Sequence, residues 1–88
     1  MLFKRFRFMP KHRNVNERRI VFLNKTTKEP EILFEDIHVV ADKYKISGGK
    51  VRHHIYTQIA FLNYILTWAN DWEEKNDEWL PLHRINLV

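Results

Sequence analysis

The side chains best suited to chemistry are concentrated in one short segment, SGGKVRHHIY, which runs from residue 47 to residue 56. If this segment opens a helix, Arg52 could hold the edge of a guanine through two hydrogen bonds. Lys50 and the free backbone amides of Gly48 and Gly49 suit a phosphate group, because amides at a helix start have no partner within the helix. The candidate contact residues for duplex DNA are Ser47, Gly48, Gly49, Lys50, Arg52, His53 and Tyr56.

The five histidines invite a metal-site interpretation, which their spacing does not favour. His53 and His54 are adjacent, so on a helix they point about a hundred degrees apart and cannot easily share one ion. His38 and Asp42 are four residues apart and could lie on one helix face, but no third ligand has a clear place. We therefore expect no metal site and no cofactor.

The segment DWEEKNDEW, residues 71 to 79, holds five acidic residues and two tryptophans. Catalytic carboxylates need at least one acid whose pKa is raised by burial, whereas this stretch is polar and has the character of a solvated helix end. The chain also lacks cysteine, a phosphate-binding loop and a nucleophile motif, so we expect no enzyme activity. An acidic, aromatic-rich helix end could instead dock a basic protein partner, through Trp72, Glu74, Glu78 and Trp79.

The charge of the chain is unevenly distributed around a net value of +4. Residues 1–28 carry nine Lys/Arg and one Glu, and residues 29–46 carry five acids and two bases. Residues 47–58 add Lys50 and Arg52, and residues 59–88 hold five acids and two bases. This pattern predicts one basic face and one acidic face, and a polyanionic partner for the basic one. Five cations of the N-terminal segment could follow a DNA backbone or a minor groove: Lys4, Arg5, Arg7, Lys11 and Arg13.

The chain of 88 residues is expected to form a single domain, given its 44% hydrophobic content. It has no run of 18 apolar residues that could cross a membrane, and its basic N-terminus lacks the apolar segment of a signal peptide. The expected location is therefore the cytoplasm, without membrane association.

The sequence predicts a β-hairpin over residues 19–34, in which two apolar segments flank a polar turn at residues 24–29. Residues 1–18 would form a basic arm or strand ahead of it. A helix should begin after Asp36, whose carboxylate can cap the first turn, with an apolar stripe from Ile37 to Tyr44. Apolar residues at three- and four-residue steps then predict one long helix over residues 50–75. The tail, residues 79–88, could add a last strand against the hairpin.

The join between these two helices fits the spacing of a helix-turn-helix, over residues 36–57. Such a corner needs a small residue in the first helix and apolar residues at set positions in the first helix, the turn and the second helix. Ser47 can cap the second helix. The turn normally has a glycine where this chain has Lys45. The packing positions are filled by Ala41, Tyr44, Ile46, Val51 and Ile55.

The order of elements over residues 20–56 resembles the small modular DNA-binding domain that is found beside homing endonucleases and in phage proteins. Phe34 matches its aromatic residue, Asp36 its helix cap, and Val40 with Ala41 its apolar-small step. The resemblance implies a phage or mobile-element regulator that binds duplex DNA with a sequence bias, through the second helix in the major groove. No nuclease motif accompanies it.

These observations predict an α+β fold in which a short N-terminal hairpin packs on a helix-turn-helix, followed by a long C-terminal helix. The apolar middle of that helix would exceed what the rest of the chain can cover, which predicts a homodimer formed through it. The main alternative is a small phage-type inhibitor or adaptor. It would bind a host protein, for example a nuclease, through the acidic aromatic helix or the basic face. RNA binding by the arm at residues 3–8 is a further possibility.

Overall fold

The computed structural model describes residues 18–88. The five candidate arm residues, Lys4, Arg5, Arg7, Lys11 and Arg13, lie outside the described residues, and so does nearly all of the predicted basic arm or strand.

The described part of the chain combines one four-stranded mixed sheet with three α-helices, which confirms the α+β class. The hairpin and the first helix lie where they were predicted, and the tail contributes a short last strand. In chain order the elements are β1 (Ile20–Asn24), β2 (Pro30–Phe34), α1 (Ile37–Tyr44), α2 (Gly48–Thr57), β3 (Tyr64–Trp68), α3 (Ala69–Asn76), a 3-10 turn (Leu82–Arg84) and β4 (Asn86–Leu87).

The four strands form one mixed sheet in the order β3-β1-β2-β4. β1 is antiparallel to both β2 and β3, with Phe22 opposite Ile32 on one side and opposite Leu66 on the other. β4 runs parallel to β2, and this edge is extended by a 2.9 Å hydrogen bond from the Val88 amide to the Leu33 carbonyl. β1 is therefore an inner strand, which explains why its residues are apolar without alternation.

Successive side chains of β1 point to opposite faces of the sheet, and each face is covered. Ile20 and Phe22 pack with α1 and α2 in one apolar cluster. Val21 and Leu23 pack in a second cluster with the start of α3 and with the C-terminal segment. The result is a three-layer arrangement, with two helices on one face and one helix on the other.

The predicted long helix over residues 50–75 is wrong. α2 ends at Thr57, and Gln58 adopts a left-handed conformation with a φ of 62°. The side-chain amide nitrogen of Gln58 donates hydrogen bonds of 2.8 Å to the carbonyls of Ile55 and Leu66, which joins the end of α2 to β3.

The misassigned segment is β3, whose sequence YILTW is rich in the β-branched and aromatic residues that favour strands. Its pairing with β1 places Leu66 against one helical layer and Ile65 against the other. Apolar residues that occur on both faces of a strand also recur at three- and four-residue steps, so the spacing fitted a helix equally well. The homodimer predicted through this helix loses its basis, because the apolar segment lies within the sheet.

α3 begins directly after β3 and fixes the C-terminal segment to the sheet. Its Glu73 is buried, accepts a 3.0 Å hydrogen bond from the Leu80 amide, and lies 3.6 Å from the Arg19 guanidinium. Leu80 and Ile85 then complete the second apolar cluster. None of the helices between residues 18 and 88 has the length and apolar character needed to cross a bilayer.

Candidate nucleic-acid interface

Two N-caps and one tight turn set the geometry of α1 and α2. The Asp36 carboxylate accepts a 3.1 Å hydrogen bond from the Val39 amide, and the Ser47 hydroxyl accepts one of 3.1 Å from the Lys50 amide. Both caps were predicted from the sequence, and each satisfies an amide that has no partner within its helix. The two helices are therefore separated by only three residues.

Lys45 ends α1 in the left-handed conformation, with a φ of 57° and a ψ of 44°. Its amide and that of Ile46 both donate to the Ala41 carbonyl, the latter at 3.1 Å. This is the conformation for which a glycine is usual, and it costs a residue with a side chain about 1–2 kcal/mol. The chain thus makes the predicted turn without the usual glycine.

The expected packing residues all lie between the helices and the sheet. Val51 and Ile55 are buried on the inner side of α2, and Ala41, Tyr44 and Ile46 pack against the same cluster. Burial, together with the nearby hydroxyl of Tyr64, raises the pKa of the Tyr44 hydroxyl above its ordinary value. Tyr44 is accordingly a neutral packing residue.

The outward side of α2 carries the candidate contact residues. Lys50, Arg52 and His53 are exposed, and Tyr56 is 77% exposed. Because Val51 and Ile55 point inward from the same helix, these four side chains lie on its solvent side. The helix therefore presents two permanent cations, an imidazole and a phenol on one accessible surface.

Two of the predicted contact residues, Ser47 and Gly48, have structural roles as well. The Ser47 hydroxyl accepts the hydrogen bond that caps α2. A Cβ at Gly48 would lie 3.2 Å from the Ile37 side chain, so this glycine permits the close approach of α1 and α2. A Cβ at Gly49 would meet only the Ser47 hydroxyl, at 3.9 Å, and Gly49 is exposed. Of the two glycines, Gly49 therefore has the more open backbone.

His54 connects α2 to the loop that follows it. Its Nδ1 lies 2.9 Å from the Ile59 carbonyl oxygen, and its ring centroid lies 5.2 Å from that of Phe61. Phe61 in turn contacts Tyr44 and Phe22. Phe61 was not predicted as a packing residue, because the predicted long helix over residues 50–75 included it. The available signal was the run of aromatic residues at positions 56, 61 and 64.

Charge is segregated between the two faces of the sheet. The α1–α2 layer, residues 36–57, contains four Lys/Arg and two Asp. Residues 69–80, which include α3 on the opposite face, contain five acids and one Lys. Two of the four cations, Lys43 and Lys45, are exposed near the turn and were absent from the predicted contact set. The α1–α2 layer is the more favourable of the two for an anionic partner.

The residues proposed for protein docking lie on the α3 side of the sheet. Trp72 is partly buried against the second apolar cluster, Glu74 is exposed, and Trp79 is 46% exposed. Glu78 is partly buried. A cleft of about 240 Å³ runs beside Trp72, between α3 and the outer strand β3. The structure thus places these residues on one side of the molecule, away from the contact residues of α2.

The possible His38–Asp42 pair lies along a wide groove of about 730 Å³ beside α1, which Val88 also lines. Within residues 18–88 no three side chains of the metal-binding types come together in a way that could hold an ion.

No protein-family model, no curated protein and no solved structure matches this chain.

Proposed function

We propose that the protein binds duplex DNA with the outward side of α2 in the major groove. The observation that carries the proposal is the division of α2 into a buried side, with Val51 and Ile55, and an exposed side with Lys50 and Arg52. A helix fixed by its inner side and basic on its outer side is the element that many proteins insert into the major groove.

Within this proposal the contact residues have different tasks. Arg52, on the second turn of α2, is the side chain suited to a guanine edge, where a bidentate contact is worth about 1–3 kcal/mol of discrimination. Lys50 and the Gly49 amide, at the start of the helix, suit a phosphate. His53 and Tyr56 extend the same surface. The N-terminal cations would add backbone contacts with no preference for sequence.

The test is fluorescence anisotropy of a labelled mixed-sequence duplex, titrated with the full chain at low and at near-physiological salt. We expect a Kd in the micromolar range or tighter that weakens steeply as salt is raised, as counterion release requires. The double variant Lys50→Ala/Arg52→Ala should bind at least about tenfold more weakly, and its salt slope should be smaller by about 1, because Lys50 is the residue of the two assigned to a phosphate.

A matched control is Lys75→Ala/Arg84→Ala, which removes the same charge from exposed positions outside α1 and α2. The control should bind like the wild type if contact is local to α2. Equal weakening by both double variants would show that net charge alone governs binding, and it would overturn the proposed role of α2. So would a wild-type chain that does not bind duplex at low salt.

A second candidate function is docking of a basic protein segment on the α3 side. It is favoured by the five acids in residues 69–80. Under this alternative, Trp79→Ala combined with Glu74→Lys would abolish partner capture, and Lys50→Ala/Arg52→Ala would leave it intact. The two functions are compatible, because they use opposite faces of the sheet.

A further inference from the structure

Leu62 combines two features that are each unusual for a leucine. Its side chain is 62% exposed, and its φ is 58°, in the left-handed region. This conformation costs a residue with a side chain about 1–2 kcal/mol, and burial of the Leu62 side chain does not offset that cost. Among residues 18–88, the other non-glycine residues with a positive φ are polar, so Leu62 is the one whose strained backbone holds an apolar side chain in solvent.

The neighbours of Leu62 fix it at the tip of a tight turn. Phe61 and Tyr64 exchange two backbone hydrogen bonds, of 2.8 and 3.0 Å, so Leu62 and Asn63 form a two-residue turn between them. The Asn63 carbonyl also accepts a 2.9 Å hydrogen bond from the Lys25 amide. Two-residue turns with a positive φ at the first position usually have glycine there. Here that position presents an apolar side chain to solvent.

The turn lies at the end of the sheet that adjoins the C-terminal end of α2. Phe61 packs on His54 of α2, and the pairing of Asn24 with Tyr64 brings the hairpin turn of β1 and β2 to the same end. α2 is ten residues long, or about 15 Å, whereas a major groove is about 12 Å wide. The Leu62 turn and the outward side of α2 are therefore close enough that one duplex could span both.

The surroundings of Leu62 are mixed in charge but include exposed cations. Lys25 and Lys28 are exposed in the hairpin turn, and the Lys28 ammonium donates a 2.9 Å hydrogen bond to the Lys25 carbonyl. Two acidic residues, Glu29 and Glu31, come next along the chain. The Glu31 carboxylate accepts a 3.0 Å hydrogen bond from the side-chain amide of Asn24. An apolar tip beside lysines matches the wedge residues that proteins insert from the minor groove between base pairs.

We propose that Leu62 is an apolar wedge that enters the minor groove next to the α2 site, with Lys25 on the flanking phosphate. The inference rests on the proposed DNA-binding function. It gives that function a second element, which would kink the duplex towards the major groove as the Leu62 side chain separates two base pairs.

The matched variants are Leu62→Asn and Leu62→Gly, since both residues tolerate the left-handed conformation that leucine does not favour. Both should keep or raise the melting temperature, which shows that the fold is intact. Both should also weaken duplex binding about five- to tenfold in the anisotropy titration and reduce the bend of a doubly labelled duplex measured by energy transfer. A purely structural Leu62 would not lower affinity while stability holds or rises.

The Lys50→Ala/Arg52→Ala variant, measured in parallel, separates the two proposals. If that variant loses affinity while Leu62→Asn binds and bends the duplex like the wild type, the wedge is overturned and the α2 site stands. If Leu62→Asn instead alters the oligomeric state with unchanged DNA affinity, the wedge is likewise overturned, in favour of contact between copies of the chain. Absence of duplex binding by the wild type removes both proposals.

Discussion

Lys45 shows at the scale of one residue how the chain accepts a local cost at a tight turn. Its positive φ lets the Ile46 amide reach the Ala41 carbonyl, and that hydrogen bond closes the end of α1. Its side chain is exposed, so burial does not compensate the conformation. The helix caps and the inner packing residues were predictable because their chemistry is local. The left-handed conformation of Lys45 could not be predicted, because a lysine does not itself require a positive φ.

We expect Lys45→Gly to stabilise the protein by about 1 kcal/mol, because glycine adopts this conformation without steric conflict. For a domain of this size the melting temperature should rise by about 4–8 °C. Chemical unfolding in the absence of DNA measures the effect. Lys45→Ala is the control: it removes the charge but keeps the steric conflict, so it should change stability little. Equal gains in both variants would show that charge, and not backbone conformation, is responsible.

At the scale of elements, β3 marks the limit of what the sequence predicted. The hairpin, the first helix, the start of α2 and the last strand followed from turn residues, caps and short-range patterns. The change from helix to strand after Thr57 did not, because Gln58 is neither glycine nor proline and residues 50–75 contain neither. α2 ends at the positive φ of Gln58, whose side chain makes a long-range hydrogen bond to Leu66 that spacing along the chain cannot reveal.

We expect Gln58→Ala to destabilise the protein by about 1–2 kcal/mol, since the carbonyls of Ile55 and Leu66 lose a side-chain donor. Amide hydrogen exchange in β3 should accelerate more than exchange in β2. Gln58→Gly loses the same hydrogen bonds but removes the cost of the positive φ, so it should be the milder change by about 1 kcal/mol. If Gln58→Ala is more stable than Gln58→Gly, the positive φ at residue 58 does not lower the stability of the protein.

At the scale of the whole molecule, the sheet separates the α1–α2 layer, with four Lys/Arg and two Asp, from the acidic residues 69–80 on the opposite face. The predicted acidic segment at residues 29–46 contributes α1 to the first of these layers. The same separation divides the apolar residues into two clusters that share no buried side chain. The cluster on the α3 side is the smaller of the two, and Glu73 links its parts through the Leu80 amide and Arg19. The C-terminal segment is thus held by one buried carboxylate as well as by its apolar residues.

We expect Glu73→Ala to destabilise the protein by about 1–3 kcal/mol, because the buried Leu80 amide would lose its acceptor. Glu73→Gln retains an oxygen that can accept this hydrogen bond and loses only the charge near Arg19, so it should cost less. Urea unfolding of both variants gives the comparison. Glu73→Ala with wild-type stability would show that the apolar residues alone hold the C-terminal segment.

The inner position of β1 has a consequence for the order of folding. Its hairpin partner β2 follows after a short turn, but its other partner is distant: Asn24 pairs with Tyr64 and Ile20 with Trp68. Loop closure over some forty residues must precede any gain from that second pairing. The hairpin and the two helices on it can therefore form early, while one edge of β1 remains open. During synthesis that edge stays unpaired until β3 emerges, and in this interval the chain is most exposed to pairing with another copy of itself.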